Sequence, residues 1–520
     1  DQGRNWTRIS PDLTTNDKSK QKQEESGGLS ADNTSAENHC TVFTISESPL
    51  DSNLVWAGTD DGNLQYTADG GKTWNNVAAN YVAAGIPRQT WVSSIEPSRF
   101  DKNVVYATFD NHMYGDHKPY VAVSRDMGKT WTLLKGGEDM EGFAHKIKED
   151  IENKDLLFAG TEMGLYCSVN GGKEWFRMKN NIPWYVPVRD ITIHPRQHDL
   201  VLGTHGRGVI VVDDISPIRK LDAATASKDV ELFRPQPLVL RDGRFGGGGF
   251  PGNGGWNGGN PPSITPIKYY LKERVVSGEV KVEILDKDGQ LVQSIPGTKR
   301  KGVNMVTWNL RKTPPKVAEG GVKLDFSAFM APMVLPGDYI VKLVVGDKVY
   351  TQPLKVEHDA HGEMTMQDRE AQYELAMKLY KMQEELAAVV DTINKTQALL
   401  KENMEKLQNK KARQQAQEYF NKLEEQRGKL LATKNKSIFA DEKRLKEEIG
   451  EVYRAVAGSE AAPSNMQQQR TEILQQELKK QGEATKALMQ QYHQSVMQSF
   501  SKEKIYLGPK LPAGSTGTSG

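Results

Sequence analysis

Hydrophobic positions along the chain follow two different periods. Up to about residue 357 they alternate with polar residues in short runs broken by Gly, Pro, Asn and Asp, the signature of half-buried strands. From Met366 they recur at three- and four-residue steps through Tyr373, Met377, Tyr380, Leu386, Val390, Ile393, Leu400, Met404 and Leu407, which predicts a helix of about forty residues. Further helices are expected from Ala412 to Ala432, from Asp441 to Val456 and from Met466 to Phe500, with Pro463 and Ser464 breaking and recapping the chain. Four such segments predict an antiparallel bundle over 358–505.

The strand-forming part is itself of two kinds. In the first 220 residues one pattern repeats: Asp1, Gly3, Trp6; then Asp69, Gly71, Trp74; Asp126, Gly128, Trp131; and Asn170, Gly172, Trp175. In full it reads Ser/Thr-x-Asp-x-Gly-x-Thr-Trp, with the acceptor side chain bonding within its own turn, Gly supplying positive φ and Trp plugging the hairpin from beneath. Short apolar runs ending in Gly-Thr stand at Gly58-Thr59, Gly160-Thr161 and Gly203-Thr204, and strands ending in Pro stand at Pro49, Pro97 and Pro195. The tryptophans lie 68, 57 and 44 residues apart, a spacing that suits four-stranded propeller blades with variable loops.

These boxes resemble the Asp-box (BNR) β-propellers shared by sortilin-type receptors, sialidases and some glycoside hydrolases. The run from Pro187 through Arg189, Asp190, His194 and Arg196 to His205, Arg207 and Asp213 is similar to a secreted bacterial group called sortilin-like or glycosyl-hydrolase-like. The resemblance implies a partial propeller of about four blades over 1–221, the C-terminal half of a longer protein. An N-terminal propeller half, from the same or another chain, is then needed to close the ring. It also implies a secreted, periplasmic or cell-surface location.

Between Ile264 and Val356 the alternation continues through Ile267–Leu271, Val280–Ile284, Met305–Trp308 and Tyr339–Val345, which predicts an antiparallel sandwich of about seven strands over 264–357. Gly302, Asn304, Trp308 and the Leu335-Pro-Gly-Asp-Tyr339 run resemble an immunoglobulin-like domain of the same secreted group; Trp308 reads as a core plug. Residues 222–263 read as a Gly-rich linker and 506–520 as a flexible tail. The expected class is therefore multidomain: propeller blades, an immunoglobulin-like β-sandwich and an α-helical bundle.

Composition sharpens this division. Only four of the 47 Gly and one of the 24 Pro fall between Met366 and Ile505, so turns end where the helices begin. With 68 basic and 67 acidic residues, charge gives no case for nucleic acid. No apolar run of about 18 residues is present for a membrane span. Two cysteines, Cys40 and Cys167, cannot make a disulfide framework, and no metal or cofactor motif appears. His112, Asp116 and His117 share a loop, but at no known metal spacing.

The best polar cluster is Arg189, Asp190, His194, Arg196, His198, His205 and Arg207. As a site it would bind an acidic ligand through Arg189, His194, Arg196, His205 and Arg207. Asp190 and Asp213 are the candidate paired carboxylates for glycoside hydrolysis. As structure, each residue simply follows a blade position. The expected function is a non-catalytic interaction or scaffold protein binding a protein or peptide through the propeller, with a glycan as the other candidate ligand. A glycoside hydrolase with part of its site in a missing N-terminal half and a structural subunit docked through the bundle are the alternatives.

Overall fold

The computed structural model describes residues 3–22, 25, 39–135, 140–241, 264–321, 325–433 and 442–505. Two compact units divide the chain, Asp1–Lys228 and Asp229–Gly520. Asp1 of the first box, most of the Gly-rich stretch (242–263, with Phe245, Phe250 and Trp256), Asp441 and the tail 506–520 lie outside the described residues.

The first unit is built from four antiparallel sheets in chain order. The first holds β1 (Val42–Ser48), β2 (Asp51–Thr59), β3 (Leu64–Thr67) and β4 (Asn75–Asn76). The second holds β5 (Trp91–Pro97), β6 (Val105–Asp110), β7 (Tyr120–Ser124) and β8 (Thr132–Leu133). The third holds β9 (Ala144–Glu149), β10 (Leu157–Thr161), β11 (Gly164–Ser168) and β12 (Phe176–Arg177). The fourth has three strands, β13 (Val188–Ile193), β14 (Leu200–Thr204) and β15 (Val209–Val212), followed by short helices α2 (Ser216–Arg219) and α3 (Ala223–Ser227); α1 (Ala78–Ala83) joins the first two sheets.

Each strand alternates side chains between its two faces, and consecutive sheets share one core. Trp56 and Leu64 pack with Ala107, Phe109 and Trp131; Tyr106 and Val121 face the other way to meet Ile147, Leu157 and Trp175; Phe158 and Cys167 meet Ile191 and Leu202. The middle sheets are thus buried on both sides, which gives continuous apolar strands such as Leu157–Thr161. At roughly 200 Å² per ring and about 25 cal/mol per Å², a fully buried Trp56 or Trp175 contributes ~5 kcal/mol. Close approach fixes the Gly-Thr motif: a Cβ on Gly58 would lie 2.5 Å from Val92, and one on Gly160 would lie 2.4 Å from the Val188 carbonyl oxygen, each in the next sheet. Successive four-stranded meanders packed face to face are propeller-like architecture. The end sheets leave one face bare, with Val42, Phe43 and Ile45 exposed on β1 and Val209 and Val211 on β15.

The second unit opens with two strands inside the expected linker. β16 (Val230–Leu232) pairs with β18 (Thr265–Leu271), and β17 (Leu238–Leu240) pairs in parallel with β23 (Lys348–His358). A linker over the whole of 222–263 is therefore incorrect. Three-residue strands are too short to display a period, so composition hid them. One sheet runs β16-β18-β21, with β21 at Gly302–Trp308; the other runs β17-β23-β22-β19-β20, with β19 at Val280–Leu285, β20 at Leu291–Pro296 and β22 at Gly337–Val345. Their inward residues form a single core around Tyr269, Val282, Trp308, Val341 and Leu343. Trp308 is fully buried and its Nε1 donates to the Arg311 carbonyl at 2.9 Å, the part of a core plug.

Helices α4 (Met366–Asn403), α5 (Lys410–Leu430), α6 (Leu445–Ala457) and α7 (Asn465–Lys502) follow. Thr365 with Asp368, and Ser464 with Gln467, form capping boxes that start α4 and α7 where the apolar period begins. Leu379, Leu386, Val390, Ile393, Tyr419, Leu423, Ile449, Tyr453, Leu474 and Phe500 share the core. Neighbours run antiparallel: Gln397 meets Glu424 while Asn394 meets Arg427, and Gln426 meets Gln481 while Glu418 meets Tyr492. Helices and sheets of this unit are tied together by Tyr453 donating to the Met330 carbonyl at 3.0 Å and by the Lys446–Asp325 pair at 3.2 Å.

Candidate functional site: two ends of the stacked sheets

The box turns repeat one hydrogen-bond scheme three times. In the second sheet Ser124 Oγ donates to Asp126 Oδ1 at 2.8 Å and accepts from Gly128 N at 2.7 Å, while Thr130 N and Oγ1 donate to the two Asp126 oxygens at 2.9 and 2.7 Å. Thr67, Asp69, Gly71 and Thr73 reproduce every bond. Ser168, Asn170, Gly172 and Glu174 repeat three of the bonds and reverse the fourth, Asn170 Nδ2 donating to the Glu174 carboxylate at 3.0 Å. Hydrogen bonds from Thr73 bring the Asp69 carboxyl down to about 2, and those from Thr130 lower Asp126. Each box glycine has positive φ and abuts the sheet before it: Gly128 against Trp56 and Val77, Gly172 against Leu134.

Gly71 abuts Ile9 in the same manner, and Trp74 Nε1 donates to the Ile9 carbonyl at 3.0 Å. Residues Trp6 to Ile9 therefore stand where Trp74–Val77 and Trp131–Leu134 stand in later sheets. The tryptophans differ in burial. Trp131 and Trp175 are buried plugs and Trp74 is half-buried, but Trp6 is 89% exposed, so the plug role expected for it is not realised here.

All three boxes lie at one end of the sheets, with the Pro49, Pro97 and Pro195 turns. This is the box end, where the first strand of each sheet finishes and the third strand gives way to the hairpin. The far end carries the starts of β1, β5, β9 and β13 and the finishes of β2, β6, β10 and β14. The polar cluster expected from sequence is split between them. Val188 is registered on Thr204 and Ile193 on Leu200, so Arg189, Asp190, His205 and Arg207 are at the far end, and His194, Arg196 and His198 are at the box end.

Asp213 follows Val212, which is registered on Leu200, whereas Asp190 is registered on Gly203. Four residue steps of about 3.4 Å and two strand spacings of about 4.8 Å put the two roughly 16 Å apart. Carboxylate pairs of glycosidases lie about 5 to 9.5 Å apart, so Asp190 and Asp213 do not make one. Asp190 has structural work instead. Asp190 takes the Lys146 ammonium at 2.9 Å across the neighbouring sheet; burial raises its carboxyl, yet Lys146 brings it net below the usual range. The Glu96–Lys148 pair at 2.7 Å does the same between the second and third sheets. His194 Nδ1 accepts from Gln197 N at 3.0 Å and shapes a turn.

The box end holds a charge pair that sequence gave no sign of. Arg219, on α2, donates through Nε and Nη2 to the two Asp150 oxygens, both at 2.8 Å, and its Nη1 reaches His198 Nδ1 at 2.8 Å. Asp150 has no exposed surface and Arg219 almost none, so the pair clamps the third sheet to the chain beyond the fourth.

At the far end, Glu162 accepts from Arg189 at 3.1 Å and meets His145 Nε2 at 2.8 Å. Burial lowers the His145 pKa against the pull of Glu162, which keeps that imidazole neutral near pH 7. The His112 ring stacks on Phe143 at 4.5 Å, held by Asp110 on Nδ1 at 2.7 Å, and His117 lies 5.9 Å from the same ring. His112 and His117 thus serve an aromatic cluster; among the described residues no set of three or more His, Cys, Asp or Glu could hold a metal ion. Of the exposed aromatics in this unit, Phe43, Tyr114, Trp184 and Tyr185 lie at the far end and Trp6, Phe100 and Phe176 towards the box end. Adjacent Trp and Tyr between Pro183 and Pro187 were the one legible signal, and repeat matching passed over them.

No family model and no curated protein matches the chain. Among solved structures, YCF48 from Cyanidioschyzon merolae aligns over 33% of this chain and 55% of its own length, at 18% identity and TM-score 0.24. An ancestral GH74 enzyme aligns over 61% of this chain and 41% of its own, at 14% identity and TM-score 0.26. The GH74 enzyme of Niastella koreensis aligns over 61% and 47%, at 8% identity and TM-score 0.28. This chain thus spans just over half of the first and less than half of the others. Scores this low transfer nothing from those proteins, and the propeller-like architecture stands on the stacked sheets themselves. No helix among the described residues is long and apolar enough to cross a membrane.

Proposed function

We propose that the chain is an interaction module that binds a protein or peptide through the far end of an Asp-box propeller, without catalysis. One observation carries this: Trp184 and Tyr185 stand exposed at the end opposite the boxes, on the loop that leads into Arg189 and whose Pro187 carbonyl accepts from His205 N at 3.0 Å. Trp, Tyr and Arg are the side chains that dominate binding energy at protein interfaces. The carboxylates considered for hydrolysis lie too far apart to act as a pair.

In this reading the second unit is a scaffold of an immunoglobulin-like sandwich and a helical bundle, and the whole is a secreted or envelope-exposed protein. Further blades, from this protein or another, complete the ring. Trp6–Ile9 in the position of a fourth strand and an edge of β15 that pairs with no strand among the described residues support that completion. Selection from an unbiased display library of peptides tests the function. Peptides enriched on the native chain and lost on Trp184→Ala support it. Cleavage of an oligosaccharide panel that disappears on substitution of a single carboxylate refutes it.

A further inference from the structure

The loop between β12 and β13 is anchored on both sides of its exposed pair. Ile182 and Val186 are buried in the core shared by the third and fourth sheets, while Trp184 and Tyr185 between them are 56% and 58% exposed. The backbone at Tyr185 is left-handed, φ 59°, a strained conformation for a bulky aromatic. Beneath Trp184 the Arg177 guanidinium lies 4.1 Å from the ring centroid, and Trp184 meets Tyr185 edge to face at 5.5 Å. Two large rings are therefore held outward on a loop anchored at both ends.

The ground beside this pair is basic. His205 N donates to the Pro187 carbonyl at 3.0 Å, which sets the exposed His205–Gly206–Arg207–Gly208 turn against the base of the aromatic loop. Arg189, half-exposed, follows two residues after Pro187. The nearby acids are engaged: Glu162 by Arg189 and His145, Asp190 by Lys146, and Glu141 by Arg177 at 3.5 Å. Among the described residues Arg207 makes only a 3.3 Å bond, to the neighbouring Gly206 carbonyl.

We propose that this corner of the far end is a docking site for an acidic peptide segment that sets an apolar ring, Pro or Trp, on Trp184 and Tyr185 and its carboxylates on Arg207, His205 and Arg189. The inference rests on the binding function proposed above and names the chemistry of its partner. Charge complementarity selects the acidic class, and flat aromatic faces take Pro or aromatic side chains at little entropic cost.

The test uses the full chain and fluorescein-labelled ten-residue peptides carrying Glu, Asp, Pro and Trp, their Lys-for-Glu/Asp counterparts, and polygalacturonate as a polyanion without aromatic groups. Fluorescence anisotropy is expected to show the acidic peptides binding, with affinity falling tenfold or more on Trp184→Ala and on Arg207→Glu, and weakening from 50 to 200 mM salt. Arg207 is exposed, so R207E reads the site even if W184A unfolds; far-UV circular dichroism checks both. Equal binding of the Lys peptides, no binding of the acidic ones, or polygalacturonate binding that ignores W184A overturns the proposal. If the display library instead yields Trp184-dependent peptides that are not acidic, this inference fails while the binding function stands.

Discussion

Replacing Arg219 by Ala strands the Asp150 carboxylate without its charge partner in a site with no exposed surface. Asp150 still accepts from Glu152 N at 3.0 Å and Asn153 N at 2.8 Å, but three side-chain bonds from Arg219 are gone, at 2.8, 2.8 and 3.0 Å. Removing one partner of a buried ion pair costs about 3–5 kcal/mol, most of it the desolvation of the charge left behind. With a urea slope of about 3 kcal/mol per M, the unfolding midpoint of the first unit falls by roughly 1–1.7 M. Tryptophan emission follows that unit, because seven of the nine Trp, from Trp6 to Trp184, precede Lys228. The Asp150→Ala/Arg219→Ala double variant should lose less than the sum of the single variants, since the second substitution removes a charge the first had already left unpaired. A loss below ~1 kcal/mol for Arg219→Ala, with additive singles, would refute the clamp.

Gly160→Ala should destabilise the first unit by about 1–3 kcal/mol, since its Cβ would lie 2.4 Å from the Val188 carbonyl oxygen, while Gly203→Ala, whose Cβ would meet the Asp190 Cβ at 3.3 Å, should lower the urea midpoint by less. Asp69 has its folded pKa depressed to about 2, so its contribution is complete above the unfolded carboxylate value near 4 and is lost as pH falls towards 2. Asp69→Asn should therefore flatten the loss of melting temperature between pH 4 and pH 2 while keeping the hairpin at pH 7, as Asn170 does in its own box. Ser464→Ala removes the hydroxyl that caps α7 and should cost ~1 kcal/mol, read from the thermal melt of helical circular dichroism. In each case the opposite outcome would show that the named contact is not formed.

Local chemistry was legible wherever a turn or cap needs particular residue types. Asp126, Gly128 and Trp131 declare a hairpin because an acceptor, a positive φ and a plug are all required within a few residues. Pro463 and Ser464 mark the start of the last helix for the same reason. What escaped was whatever depends on which sheets meet. Asp150 and Arg219 are 69 residues apart and neither belongs to a repeat. Val230–Leu232 and Leu238–Leu240 are too short for a period, and a Gly-rich neighbour hid them. Proximity in sequence also misled: Asp190 and Asp213 look paired along the chain, yet β14 carries them to opposite ends. Trp184 and Tyr185 were visible as residues, but only the burial of Ile182 and Val186 shows that the loop presents them.

The most direct test of binding at the far end compares two surface variants of the full chain in one peptide-display selection. Trp184→Ala/Tyr185→Ala alters the far end, and Leu50→Ala/Phe100→Ala alters exposed apolar residues at the box end. Peptides enriched on the native chain are predicted to be lost on the first variant and kept on the second, with far-UV circular dichroism showing both variants folded. Enrichment that survives the first variant and disappears with the second would contradict the account.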